Sequence, residues 1–203
     1  MNAGKPLEIL FSFHFLPGNR YLLRNVWKWV IHPTADIAVG MLTPAERKGK
    51  QLTNRALTLS PFEVKTGDVV ATFAVPKTEI ETQTNRQIVR VDPTWHFGHI
   101  EQVYPTGRDR VFYPGPTYQT TIELIGGSSG GPVFDRHGMV IGVNSTGYDV
   151  ALGQENISFV TPIFEALDFR FPFLNVPALN CSNPSLRDLV ECGQVFMGRG
   201  QPK

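Results

Sequence analysis

Apolar, β-branched and aromatic residues fall along this chain in short runs separated by turn residues. LEILFSFHFL (7–16) and YLLRNVWKWVI (21–31) flank Pro17-Gly18-Asn19, a turn tripeptide, and together predict a β-hairpin. DIAVGML (36–42) predicts a third strand after the turn-like His32-Pro33-Thr34. The polar stretch TPAERKGKQLTN then marks a change of composition and reads as a linker. Beyond it the predicted strands are 69–75, 86–91, 99–104, 118–125, 132–135, 139–144 and 157–163, spaced as in an all-β sandwich or barrel. From Leu174 the pattern dissolves into Pro, Asn and Ser, apart from a short predicted helix over 185–191.

Composition narrows the function classes. With 203 residues and 41% hydrophobic content the chain can bury real cores in one large or two small domains. A net charge of +1, with Lys and Arg scattered, gives no electrostatic footprint for nucleic acid or an anionic membrane. No run reaches the roughly 18 apolar residues of a membrane span, and MNAGKPLEIL lacks the pattern of a secretory signal. Cys181 and Cys192 stand eleven positions apart, enough for two thiols or one local disulfide and too few for a zinc site. No metal and no cofactor is implied.

The chemistry concentrates in GGSSGGPVFDRHGMVIGVNS (126–145). A hydrolytic serine must sit on a sharply turned backbone whose amides face the oxyanion that forms on the substrate carbonyl, and glycine tolerates such conformations best. Gly127-Ser128-Ser129-Gly130-Gly131-Pro132 fits that need, and Asp36 opens the apolar strand DIAVGML, where a carboxylate normally requires a partner.

On these two motifs the chain resembles the trypsin-like (chymotrypsin-fold) serine peptidases, over about residues 7 to 167. The resemblance implies Ser129 as nucleophile, with Ser128 a bystander, the amides of Gly127 and Ser129 as oxyanion hole, and Asp36 as the triad carboxylate. Asn144-Ser145-Thr146-Gly147 stands where the family binds the substrate backbone as an added strand, and Ser145 also matches the serine that supports the aspartate. ENISFVTPI (155–163) matches the strand forming the far wall of the specificity pocket. Glu123, six residues before Ser129, falls at the floor of that pocket, where a carboxylate would favour Arg or Lys in the substrate; strand alternation instead turns it outward, with Ile122 and Leu124 inward.

The implied fold is a chymotrypsin-like double β-barrel with an incomplete N-terminal barrel. Residues 1–58 would be the remnant of the first barrel, carrying Asp36; 59–170 the complete second barrel, carrying Ser129; and 171–203 an irregular appendage with a short helix. The incomplete barrel would expose apolar strand edges. Its partner would be a peptide or protein substrate, with neither nucleic acid nor membrane involved.

The general base is the departure from the pattern. His96, His99 and His137 follow Asp36, against family order, and His32 lies in the turn that positions Asp36. His14 has the right order but sits inside the first arm of the hairpin, whereas the family places its base before that hairpin. Three readings follow: a serine endopeptidase whose histidine is encoded upstream, an inactive homologue acting as a peptide- or protein-binding module, or a compact variant using His14.

Overall fold

The computed structural model describes residues 10–16, 20–43, 46–47, 50–51, 56–75, 78–84, 86–124, 126–148, 157–172, 174, 182–195 and 197–198. The chain divides into two units, one of Met1–Ile31 with Ala38–Arg55, the other of His32–Ile37 with Ala56–Lys203. The loop that carries Asp36 therefore groups with the second unit, although its flanking strands belong to the first.

The first unit holds the predicted hairpin. β1 (Leu10–Leu16) pairs antiparallel with β2 (Arg20–Ile31), and β2 pairs with β3 (Ala38–Leu42) to give a three-stranded sheet. Its turn, Pro17-Gly18-Asn19, lies outside the described residues. Arg24 is buried, and its guanidinium donates twice to the Thr43 carbonyl, at 2.8 and 2.5 Å, satisfying that backbone oxygen where β3 ends. Trp27 and Ile31 on β2 are 46% and 67% exposed. The stretch read as a linker contains a small antiparallel ladder, β4 (Glu46–Arg47) with β5 (Lys50–Gln51). Two-residue strands carry too little periodicity to be seen in a sequence.

In the second unit six strands close into a barrel in the order β10-β13-β12-β11-β6-β9. They are β6 (Val69–Ala74), β9 (Thr94–Tyr104), β10 (Thr117–Thr120), β11 (Pro132–Phe134), β12 (Val140–Tyr148) and β13 (Ile157–Pro162). Alternation decides which side chains enter: Val70, Ile100, Ile122, Val133 and Val160 are at most 1% exposed and form the core with Tyr118, Leu124 and Ile141. Closure removes the free edges of this sheet.

β7 (Thr78–Gln83) and β8 (Arg86–Val91) make a separate hairpin. The sequence TEIETQ has one large apolar residue, so β7 carries no signal of a buried face. β9 begins five residues before its predicted start because Thr94 to Gly98 continue the register on β6, from Ala74 to Val70. That extension sets Trp95 (53% exposed) between Phe73 and Phe97, at centroid distances of 5.1 and 6.3 Å, as an aromatic ledge outside the barrel.

After β13 a 3-10 turn (Ile163–Ala166) leads towards α1 (Leu186–Glu191), the predicted helix. Ser185 caps it in a reciprocal capping box with Asp188, which answers two of the unpaired first-turn amides. Phe169, Phe171 and Leu189 are buried, and the amides of Leu186 and Phe171 donate across the segment to Phe169 and Pro184. Cys192 is a free thiol, and Cys181 lies outside the described residues. No helix among the described residues is long and apolar enough to cross a membrane.

Among the described strand glycines, Gly142 of β12 has the least room for a side chain. A Cβ there would lie 2.4 Å from the Thr161 carbonyl oxygen and 2.6 Å from Val160 Cγ1. The oxygen belongs to the paired strand and cannot move aside without breaking the ladder. Gly142→Ala is therefore expected to lower stability by about 2–3 kcal/mol, read from the urea midpoint at unchanged m.

Candidate active site

The loop between Leu124 and β11 is shaped by two glycines in the left-handed region, Gly127 at φ 93° and Gly130 at φ 81°. A residue with a Cβ enters that region only at a cost, which is why the sequence places glycine there. The loop is anchored at its C-terminal side: the Gly130 amide donates to the Asn144 carbonyl (2.7 Å) and the Asn144 amide to that of Gly131 (2.9 Å). The Gly127 and Ser129 amides have no acceptor among the described residues.

The two serines are sorted by burial. Ser128 is 2% exposed, with its hydroxyl unpaired among the described residues, while Ser129 is exposed. Ser129 Oγ donates to the Ser145 carbonyl at 2.8 Å, and Ser145 Oγ donates to Asp36 Oδ2 at 2.5 Å. One residue of β12 thus links the exposed hydroxyl to the carboxylate, 109 positions away from Ser145 in sequence. Asp36 itself is exposed, in front of the buried Ile37.

Asn144, Thr146 and Gly147 divide differently. Thr146 and Gly147 are exposed at the point where the β12–β13 register shifts. The Asn144 side chain is 2% exposed and points inward: Nδ2 donates to Thr72 Oγ1 (2.7 Å) and to the Ser128 carbonyl (3.2 Å). Thr72 Oγ1 donates onward to the Pro132 carbonyl (2.8 Å). This buried chain ties the serine loop to β6, and sequence reasoning missed Thr72 in it. Its one signal was a threonine at an inward position of VVATFAV. Asn144→Ala is expected to cost about 2–3 kcal/mol and to raise hydrogen exchange of the Gly130 amide above that of the barrel core, because the Ser128 carbonyl is left without its side-chain donor.

β10 ends at Thr120, short of the predicted strand end at 125, but inward and outward positions still alternate beyond it, and Glu123 is exposed between buried Ile122 and Leu124. The four histidine rings among the described residues are each engaged away from Ser129. His32 Nδ1 accepts from the amides of Thr34 and Ala35, His96 Nε2 pairs with Thr94 Oγ1, His99 Nδ1 meets Thr121 Oγ1, and His137 Nε2 accepts from Arg136. The side chain of His14 lies outside the described residues; its backbone sits opposite Leu22 in the first unit.

Against known proteins, the trypsin-like peptidase domain matches residues 10–143, about two thirds of the chain and both loops described above. The chain belongs to that family. Over 53 residues this trypsin-like peptidase domain is 43% identical to a probable periplasmic serine endoprotease DegP-like of Hahella chejuensis, and 42% to the like-named protein of Pseudomonas fluorescens. Each match takes in 26% of this chain and 11% of the relative. Among solved structures it is similar to the HtrA-type protease AlgW with decapeptide, at 22% identity and a TM-score of 0.50, covering 82% of this chain and 43% of that one. AlgW with tripeptide gives the same identity and TM-score, with 77% and 45% covered. The domain thus spans less than half of these proteins, and at this identity the structural likeness is one of fold: all-β and chymotrypsin-like, with the closed six-stranded barrel. It is a member of a serine protease family.

Proposed function

We propose that this domain performs the acyl-transfer chemistry of a serine endopeptidase, with Ser129 as nucleophile and Asp36 as the carboxylate that orients and supports an imidazole. The observation that carries the reading is the Ser145 link, which holds the Asp36 carboxylate and the Ser129 hydroxyl at one residue of β12. Ser129 Oγ attacks the peptide carbonyl carbon and its proton passes to the imidazole. The tetrahedral oxyanion is received by the Gly127 and Ser129 amides, and the amine leaves with the transferred proton. Water then attacks the acyl ester, giving the carboxylic acid and restoring the serine. The exposed residues Thr146 and Gly147, beyond the stretch of β12 that pairs with β11, offer a local strand edge for the substrate main chain. The imidazole comes from outside the described side chains.

A second reading, a peptide- or protein-binding module, is favoured by one observation: the Ser129 hydroxyl donates to a carbonyl, and no described histidine reaches it. Incubation with an unfolded polypeptide, read by mass spectrometry and by calorimetry, separates the two. Cleavage abolished by Ser129→Ala supports the peptidase. Saturable binding without cleavage, weakened by a bulky residue at Gly147, supports the module. Absence of both, with free imidazole supplied, overturns both.

A further inference from the structure

The loop that presents Asp36 is held by a side chain that hydrolysis does not use. Within His32–Ile37, the His32 amide donates to the Ile37 carbonyl (3.0 Å) and the Ile37 amide to that of Ala35 (2.9 Å). The His32 ring closes the same loop from inside: Nδ1 lies 2.8 Å from the Ala35 amide and 3.2 Å from that of Thr34. A backbone N–H can only donate, so Nδ1 must present its lone pair, and the neutral ring then carries its proton on Nε2.

We propose that His32 is a proton-controlled positioning residue: with Nδ1 unprotonated its ring locks the loop that presents Asp36, and protonation of Nδ1 releases that loop. The functional meaning rests on reading Asp36 as the triad carboxylate.

The surroundings hold the ring in place. Phe169 stacks on it at 5.2 Å and 28°, fixing the ring plane so that Nδ1 faces the loop. Glu165, from the 3-10 turn, brings Oε2 to 4.0 Å from Nε2, and both side chains are largely buried. Behind Glu165 stands Asp168, paired with Arg187 at 3.0 Å. Asp36 is the charged group on the ring's own loop. Residues 105–116 also approach the loop, a Cβ on Gly115 lying 3.4 Å from the Thr34 carbonyl oxygen, and the charged groups of that segment are Arg108, Asp109 and Arg110.

Two backbone donors face Nδ1 and the Glu165 carboxylate faces Nε2. Burial pushes the Glu165 carboxyl upward, the His32 charge counters that, and Asp168 adds to it. As Nδ1 gains a proton, the Thr34 and Ala35 amides lose their acceptor; on the loop the new N–H faces only Thr34 Oγ1, at a long 3.4 Å, and the cation faces Glu165 across Nε2. Histidine is the side chain suited to such a switch near neutrality.

The test uses isotope-labelled full chain and needs no turnover. Ring nitrogen shifts of His32, and exchange protection of the Thr34 and Ala35 amides, are followed between about pH 8 and about pH 5. At the upper end Nδ1 is expected to be unprotonated, and acidification is expected to lower protection of the two amides about tenfold relative to the Ile100 amide in the barrel. His32→Asn supplies an oxygen that accepts from amides two and three residues on, so its protection should be pH-independent and retained. His32→Phe keeps the ring stack without an acceptor, so its protection should be low throughout. A proton on Nδ1 at the upper pH, pH-independent protection in the wild type, or an Asn variant that behaves like the Phe variant each overturns the proposal. If Ser129 stays unreactive even with free imidazole supplied while the loop titrates as described, the peptidase reading fails and the latch stands.

Discussion

Ser129 in this chain is expected to react with a fluorophosphonate about 10⁴-fold more slowly than the serine of an assembled triad. The reagent requires the same activated hydroxyl as a peptide bond does. Here the proton is held towards the Ser145 carbonyl, which is no base, and the four described histidines are committed elsewhere. On the proposed reading the amides of Gly127 and Ser129 act without an imidazole, so oxyanion stabilisation and binding would remain, worth roughly 10³ to 10⁴ over water. Added free imidazole should therefore accelerate labelling of Ser129, and Asp36→Asn should blunt that rescue. Rapid labelling without imidazole that disappears in His14→Ala would overturn this expectation and make His14 the general base.

Phe159→Ala is expected to be the most destabilising single truncation, at about 4 kcal/mol, and to lower Tm by about 10 °C. Phe159 is fully buried on β13, and its ring is the platform for the 105–116 segment: Tyr113 packs on it at 4.3 Å and the Arg108 guanidinium lies 4.9 Å over its face. Removing the ring leaves a large void beneath two side chains and deprives Arg108 of a cation–π contact. Phe159→Leu, which refills part of that volume, should recover more than half of the loss. Equal midpoints for the Ala variant and the wild type in urea would mean that this part of the core can collapse around the gap.

The strands that built the barrel were legible because inward residues repeat every second position: Val70, Ile100, Val133 and Val160 announce themselves. β7 was silent because TEIETQ holds a single large apolar residue, and β4 and β5 because two residues have no period. The serine loop was legible for the opposite reason, its glycines being placed by backbone conformation rather than by packing. Asn144 shows the limit of a motif. Its place in GVNS suggests substrate contact, whereas its side chain is a strut whose other end, Thr72, is 72 positions earlier. The pairing of His32 with Glu165 was equally hidden, since nothing local distinguishes a histidine that caps its own turn from one that waits for a substrate.

The ledge of Phe73, Trp95 and Phe97 gives the molecule an optical handle. An indole half in water emits at long wavelength and is open to iodide, so Trp95 should already resemble its denatured counterpart in colour while differing in quantum yield and anisotropy. With Trp27 and Trp29 replaced by Phe, so that Trp95 reports alone, an unfolding curve followed by emission maximum will then be shallow, and the intensity of the same lamp scan will carry the transition. A molecule that settles on the ledge will announce itself by a blue shift, with no label attached.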